Sequence, residues 1–205
     1  MPNTAICRSV KAIIFIAACA LSTWTSAHTG VESQIHHRFL AGFVHPLLGI
    51  DHMATMLAVG IWSALSARRA GRALLWAPLG FANLLMVGAM LGLQGVVVPA
   101  VEPMIALSLL VFGLLVVSRL HLSGLGSALL AGVFALFHGL AHGGELANSS
   151  SAFETLAGML SATVLLHAAG LALGWRLRHA SGWLVRAAGG AVAAFGGSLA
   201  LLQLS

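Results

Sequence analysis

GLGSALLAGVFALFHGLAHGGE, residues 124–145, decides how this chain folds. From Gly124 to Ala141 it carries no charged side chain, and its length suits a helix crossing a hydrocarbon core, which takes about 20 apolar residues. The rest of the chain agrees. Of 205 residues 59% are hydrophobic and only 7% charged, where a soluble domain carries about a quarter charged residues. There is too little polar side chain here to cover a water-facing surface. The expected fold class is all-α, a polytopic membrane protein.

Working outward, five more stretches read the same way, so that six spans are expected at about 39–66, 73–93, 99–118, 124–144, 152–174 and 183–203. Their connections separate by charge. Arg68, Arg69 and Arg72 lie between the first two spans, Arg119 and His121 between the third and fourth, and Arg176, Arg178 and His179 between the fifth and sixth, with Arg186 just beyond. The other two loops hold no basic residue. Positive residues stay on the cytoplasmic side, which puts both termini outside, in the periplasm of a bacterial-type inner membrane. The net charge of +5 is thus an orientation signal, and no nucleic-acid partner is expected. Glu32, Asp51, Glu102, Glu145 and Glu154 all fall at the outer side or in the outer half of a span. They read either as an acidic mouth that concentrates cations or, for Glu102 and Glu154, as carboxylates suited to a helix start.

Residues 1–27 read as a cleaved signal peptide: Arg8 and Lys11, a short apolar run from Ala12 to Leu21, then Thr25-Ser26-Ala27. An uncleaved anchor is the alternative. Residues 28–205 form the transmembrane domain. Cleavage removes both cysteines, Cys7 and Cys19, and the single lysine, Lys11. Thiolate zinc sites, iron–sulfur clusters, a phosphate-binding lysine and a Schiff base are then excluded.

Two clusters carry chemistry. In the first span His45 and His52 are seven residues apart, two turns along one helix face, with Asp51 beside His52. In the fourth, His138, His142 and Glu145 are spaced i, i+4 and i+7 on one face. The first span runs inward and carries its cluster early; the fourth runs outward and carries its cluster late. Both fall in the outer half of the membrane and are expected to converge. Ionisable groups are costly there and mark ion pathways. His167, alone on the fifth span, reads instead as polar glue between helices. Imidazole with carboxylate suits nickel, cobalt, zinc, iron or copper(II) and not magnesium or calcium. His45, Asp51, His52, His138, His142 and Glu145 are the expected metal ligands. On residue chemistry alone, a membrane metallohydrolase using these ligands and a bis-histidine haem protein both stay open. In the outer tail His28, His36 and His37 either capture metal or are ordinary polar residues.

At these residues the chain resembles the HupE/UreJ family of nickel permeases. That family carries His-x5-Asp-His in its first membrane helix, matched here by His45, Asp51 and His52, and Phe-His-Gly-x-Ala-His-Gly-x-Glu in a later one, matched by Phe137, His138, Gly139, Ala141, His142, Gly143 and Glu145. The resemblance extends over essentially all of residues 28–205. It implies a permease, not an enzyme, with no permanent cofactor. Its expected cargo is Ni2+, with Co2+ or another divalent metal as the alternative. The metal would move from periplasm to cytoplasm for hydrogenase or urease maturation, by facilitated diffusion. The partners it implies are the metal and the bilayer.

Overall fold

The computed structural model describes residues 35–204 apart from Arg68 and Ala70; the expected signal peptide, His28 and Glu32 lie outside the described residues. Within them the chain forms seven α-helices and no strand: α1 (Ile35–Leu48), α2 (Ile50–Ser66), α3 (Trp76–Leu93), α4 (Val101–Ser118), α5 (Gly124–Leu146), α6 (Ala152–Leu177) and α7 (Gly182–Leu204). A short 3-10 turn, Arg72–Leu75, leads into α3. Five helices are long and apolar enough to cross a membrane, and the bent pair α1–α2 makes a sixth candidate. The chain is a multi-pass membrane protein. Helices are what lipid demands, because each backbone N–H and C=O must be satisfied inside its own segment. Between Met104 and Val117, for example, α4 has a single polar side chain, Ser108.

The helices associate in three pairs through small residues. On α3, Gly80 lies against Ala128, Gly88 against Leu136, and Gly92 against Leu140 and Gly144 of α5, so α3 and α5 run parallel. Gly139 and Gly143 return the contact, each touching backbone of Leu85 or Ala89. A Cβ at Gly88 or Gly139 would run into the opposing carbonyl. Lipid offers no hydrophobic force between helices, so such close backbone contact is what holds them. Likewise α6 runs parallel to α1–α2, with Gly158 on Phe39, Gly170 on Leu57 and Gly174 on Ile61. The pair α4–α7 is antiparallel, Gly189 meeting Val116 and Gly196 meeting Ala106.

Three connections meet at one end of the bundle. Arg178 donates to the Ala67 carbonyl at 2.6 Å, Trp62 Nε1 to the Leu120 carbonyl at 2.9 Å, and His121 Nδ1 to the Ser66 carbonyl at 2.9 Å. These are the arginine-bearing loops.

One expectation needs correction. Residues 39–66 do not form a single helix: α1 and α2 meet at 78°. Pro46 lies in the last turn of α1, where it cannot bond back to the Gly42 carbonyl. Gly49 then adopts an extended conformation, φ −76° and ψ 106°, before α2 begins. Its missing Cβ leaves room for the turn of chain that follows, since a Cβ would stand 3.2 Å from Asp51 Oδ1 and 3.4 Å from His52 Nδ1. Non-helical backbone at membrane depth is tolerated where it is buried in protein or lines a cavity. The break therefore marks a place where the bundle does something other than span.

Candidate metal centre

Both expected clusters come together at that break. His45 sits in the last turn of α1, and Asp51 in the first turn of α2 with His52 beside it. His138 and His142 project from α5. The glycine seam sets the rotation of α5: Gly139 and Gly143 face α3, and the histidines one residue earlier, about 100° round the helix, face the break instead.

The four imidazoles form a file. Ring centroids lie 5.0 Å apart from His45 to His142, 4.7 Å from His142 to His52, and 4.9 Å from His52 to His138. His45 and His52 are 6.2 Å apart. They are neighbours because the chain folds back at Gly49, and not because they stack two turns apart on a continuous helix. The two ends of the file differ in exposure, and His52 between them is 12% exposed at its side chain. His45 is exposed, His142 is 3% exposed and His138 is fully buried. The file thus has a wet mouth and a dry end.

At the mouth, ligand atoms of His45, His142 and Glu145 all lie within 4.8 Å of one another, close enough to hold one metal ion. Glu145 is largely exposed, and its Oε2 stands 3.7 Å from His142 Nδ1. Asp51 stands beside His52. Its Oδ1 lies 3.1 Å from His52 Nδ1, so Nδ1–H points at the carboxylate and Nε2 keeps its lone pair. A carboxylate so placed orients an imidazole and raises its basicity. Glu102 and Glu154 occupy the first turns of α4 and α6, as helix-start carboxylates do.

Ser108 was not singled out from the sequence. Its hydroxyl donates to the Ile105 carbonyl at 2.6 Å and lies 3.1 Å from His138 Nε2. A hydroxyl has one proton to give. The proton between Ser108 and His138 must therefore come from Nε2, which leaves the lone pair on Nδ1. The signal was available: Ser108 is the lone polar side chain in the middle of α4. Phe81 was missed too; it is fully buried, with its ring 5.7 Å from that of His138.

His52 Nε2, His138 Nδ1 and both nitrogens of His142 are buried without a hydrogen-bond partner. Each such atom costs about 1–3 kcal/mol. A borderline divalent cation is a ligand that several neutral imidazole lone pairs can share. The same geometry argues against haem, because imidazoles in direct ring contact leave no gap for a porphyrin between them.

A family model described as HupE / UreJ protein matches residues 16–199. Protein HupE of Rhizobium leguminosarum bv. viciae is 39% identical over 185 residues, covering 90% of this chain and 94% of the relative. No solved structure matches.

Proposed function

This chain belongs to the HupE/UreJ family, and on that premise we propose that it is a permease carrying a divalent transition metal, nickel first and cobalt next, from periplasm to cytoplasm for hydrogenase or urease maturation. The family consists of permease-type accessory proteins and not enzymes. In this reading the bent pair α1–α2 counts as one span, making six. The arginine-bearing end faces the cytoplasm, and both termini and the file of histidines face the periplasm of the inner membrane.

The observation that carries the reading is the file itself: four imidazoles in mutual contact, running from an exposed mouth to a fully buried end. A resident structural metal would be best served by one closed tetrahedral shell. Successive, overlapping donor sets suit an ion that moves, since conduction needs sites strong enough to enter and weak enough to leave. The broken helix adds to this, as transporter sites lie where helices are interrupted. The C-terminal end of α1, the negative end of its dipole, favours a cation beside His45.

The test is uptake of radioactive nickel into cells with and without the chain, with cobalt, zinc and copper as competitors. Replacing His52 or His138 by alanine abolishes uptake while the protein stays in the membrane. Wild-type uptake by correctly inserted variants would remove these residues from the path.

A further inference from the structure

Read from sequence, His167 on α6 is a packing residue, and half of that reading stands. Its Nδ1 lies 2.8 Å from the Met56 carbonyl. A carbonyl only accepts, so Nδ1 carries the proton and Nε2 is left with a lone pair. That Nε2 is buried without a hydrogen-bond partner, on a side chain only 3% exposed. Packing explains one nitrogen and leaves the other unexplained.

The surroundings supply a reason. The Phe81 ring contacts His138, the buried end of the outer file, at 5.7 Å, and contacts His167 at 5.0 Å. One phenyl ring thus touches two imidazoles, each with an orphaned nitrogen. Met56, which orients His167, lies one turn along α2 beyond His52. Thr163 stands one turn before His167 on the same face of α6. Its hydroxyl proton goes to the Met159 carbonyl at 2.8 Å, leaving oxygen lone pairs as a second donor. His167 also borders a wholly apolar groove of about 160 Å³ with Pro78, Leu79 and Val164. At the arginine-bearing end, a further cavity of about 200 Å³ is lined by Ser63, Ser66, His121 and Ser127. Between Met56 and Ser66, whose carbonyls hold His167 and His121, α2 rises about 15 Å.

We propose that His167 is a second metal-holding station inside the membrane, taking a borderline divalent ion such as Ni2+ or Co2+ from the outer file once the Phe81 ring swings aside, with Thr163 as its oxygen donor. The inference rests on the permease reading for its direction, but the site itself can be tested without transport. Handing the ion between two imidazoles that share one ring as a neighbour spares it a bare crossing of the apolar middle, where a charge is most costly. The backbone carbonyl of Met56 does for His167 what Asp51 does for His52: it fixes the tautomer that keeps a lone pair for the metal.

Two variants, made with Cys7→Ser and Cys19→Ser so that no other thiol is present, test the station. His167→Asn keeps an amide donor for the Met56 carbonyl but offers no imidazole. Maximal nickel uptake should fall roughly tenfold or more, the scale of loss from a metal site stripped of a contributing group, with the half-saturating concentration within about twofold because the outer file is intact. His167→Cys places a thiolate at the station. Purified protein loaded with Co2+ should then show a thiolate-to-cobalt charge-transfer band in the near ultraviolet, which the His167 parent lacks. A packing residue would give no such band. Absence of the band from cobalt-loaded His167→Cys overturns the station, whether or not the Asn variant inserts or transports. Wild-type uptake by inserted His167→Asn overturns its place on the path. Failure of the unsubstituted chain to take up nickel would instead bring down the permease reading, and the band would still decide the site.

Discussion

The seam between α3 and α5 and the joint between α1 and α2 deliver histidines to the same file by opposite means. At the seam, regular helices touch backbone to backbone through Gly88, Gly92, Gly139 and Gly143. That contact fixes the rotation of α5, and with it the direction in which His138 and His142 point. At the joint, regularity is given up: Pro46 and Gly49 end one helix and start another at 78°, and His45 and His52 are brought together by the fold of the chain. At these four glycines the seam leaves no room for an added atom. The contrast teaches that the protein sets one pair of imidazoles with regular helices and the other with irregular backbone.

The comparison can be broken most severely at the seam. Gly139→Leu drives a side chain into the Leu85 carbonyl, and close approach cannot be recovered by rotamer choice. The expected outcome is loss of folded protein from the membrane together with all uptake. Gly190→Leu, on α7 where a Cβ meets nothing within 4 Å, is the control and should assemble normally. Detergent-extracted protein analysed by size exclusion reads both. If Gly139→Leu assembles like Gly190→Leu, the seam does not set the rotation of α5.

A smaller effect is expected from the groups that orient the imidazoles. Asp51→Asn removes the carboxylate that holds His52 Nδ1–H and should weaken metal binding about 10–100-fold, the usual cost of losing such a partner. Ser108→Ala, which frees His138 Nε2 from its acceptor, should fall at the lower end of that range, because a neutral hydroxyl holds the ring less firmly than a carboxylate. Calorimetric titration of the purified variants with Ni2+ measures both. Equal affinities across wild type, Asp51→Asn and Ser108→Ala would show that ring orientation is set by packing alone.

The smallest expected effect sharpens the joint. Gly49→Ala fits the φ and ψ seen there, but its Cβ stands 3.2 Å from Asp51 Oδ1, which must give way by a few tenths of an ångström. Alanine also favours continuing the helix by about 1 kcal/mol over glycine. Together these should reduce nickel affinity by about fivefold, the factor equivalent to 1 kcal/mol. An unchanged affinity would mean that the joint does not hold Asp51 and His52 in their working geometry.

Much of the site was legible because its parts are local. His138, His142 and Glu145 share a face of α5 by spacing alone, and that helix is regular enough for spacing to suffice. For His45 and His52 the same rule brought the right residues together for the wrong reason. Pro46 and Gly49 were both visible, yet neither states an angle, and a helix can pass through either residue when its neighbours allow it. Ser108 and Phe81 lay hidden because nothing along α4 or α3 says which face meets His138. His167 was read as glue, and its bond to the Met56 carbonyl on α2 agrees with that; its contact with Phe81 was not visible in the sequence.

By itself the sequence determined the membrane class, the helices and the chemical identity of the donor atoms. Hydropathy and ligand type are properties of each residue and add up along a segment without reference to anything distant. Only the tertiary structure decided the order of the rings, which nitrogen of His52, His138 and His167 keeps its lone pair, and where the first span breaks. Those depend on contacts such as that of His167 with Met56, 111 residues apart, and such contacts follow from helix rotation. In lipid, rotation is set by which small residues allow two backbones to touch, a choice made by the pair of helices and written in neither one alone.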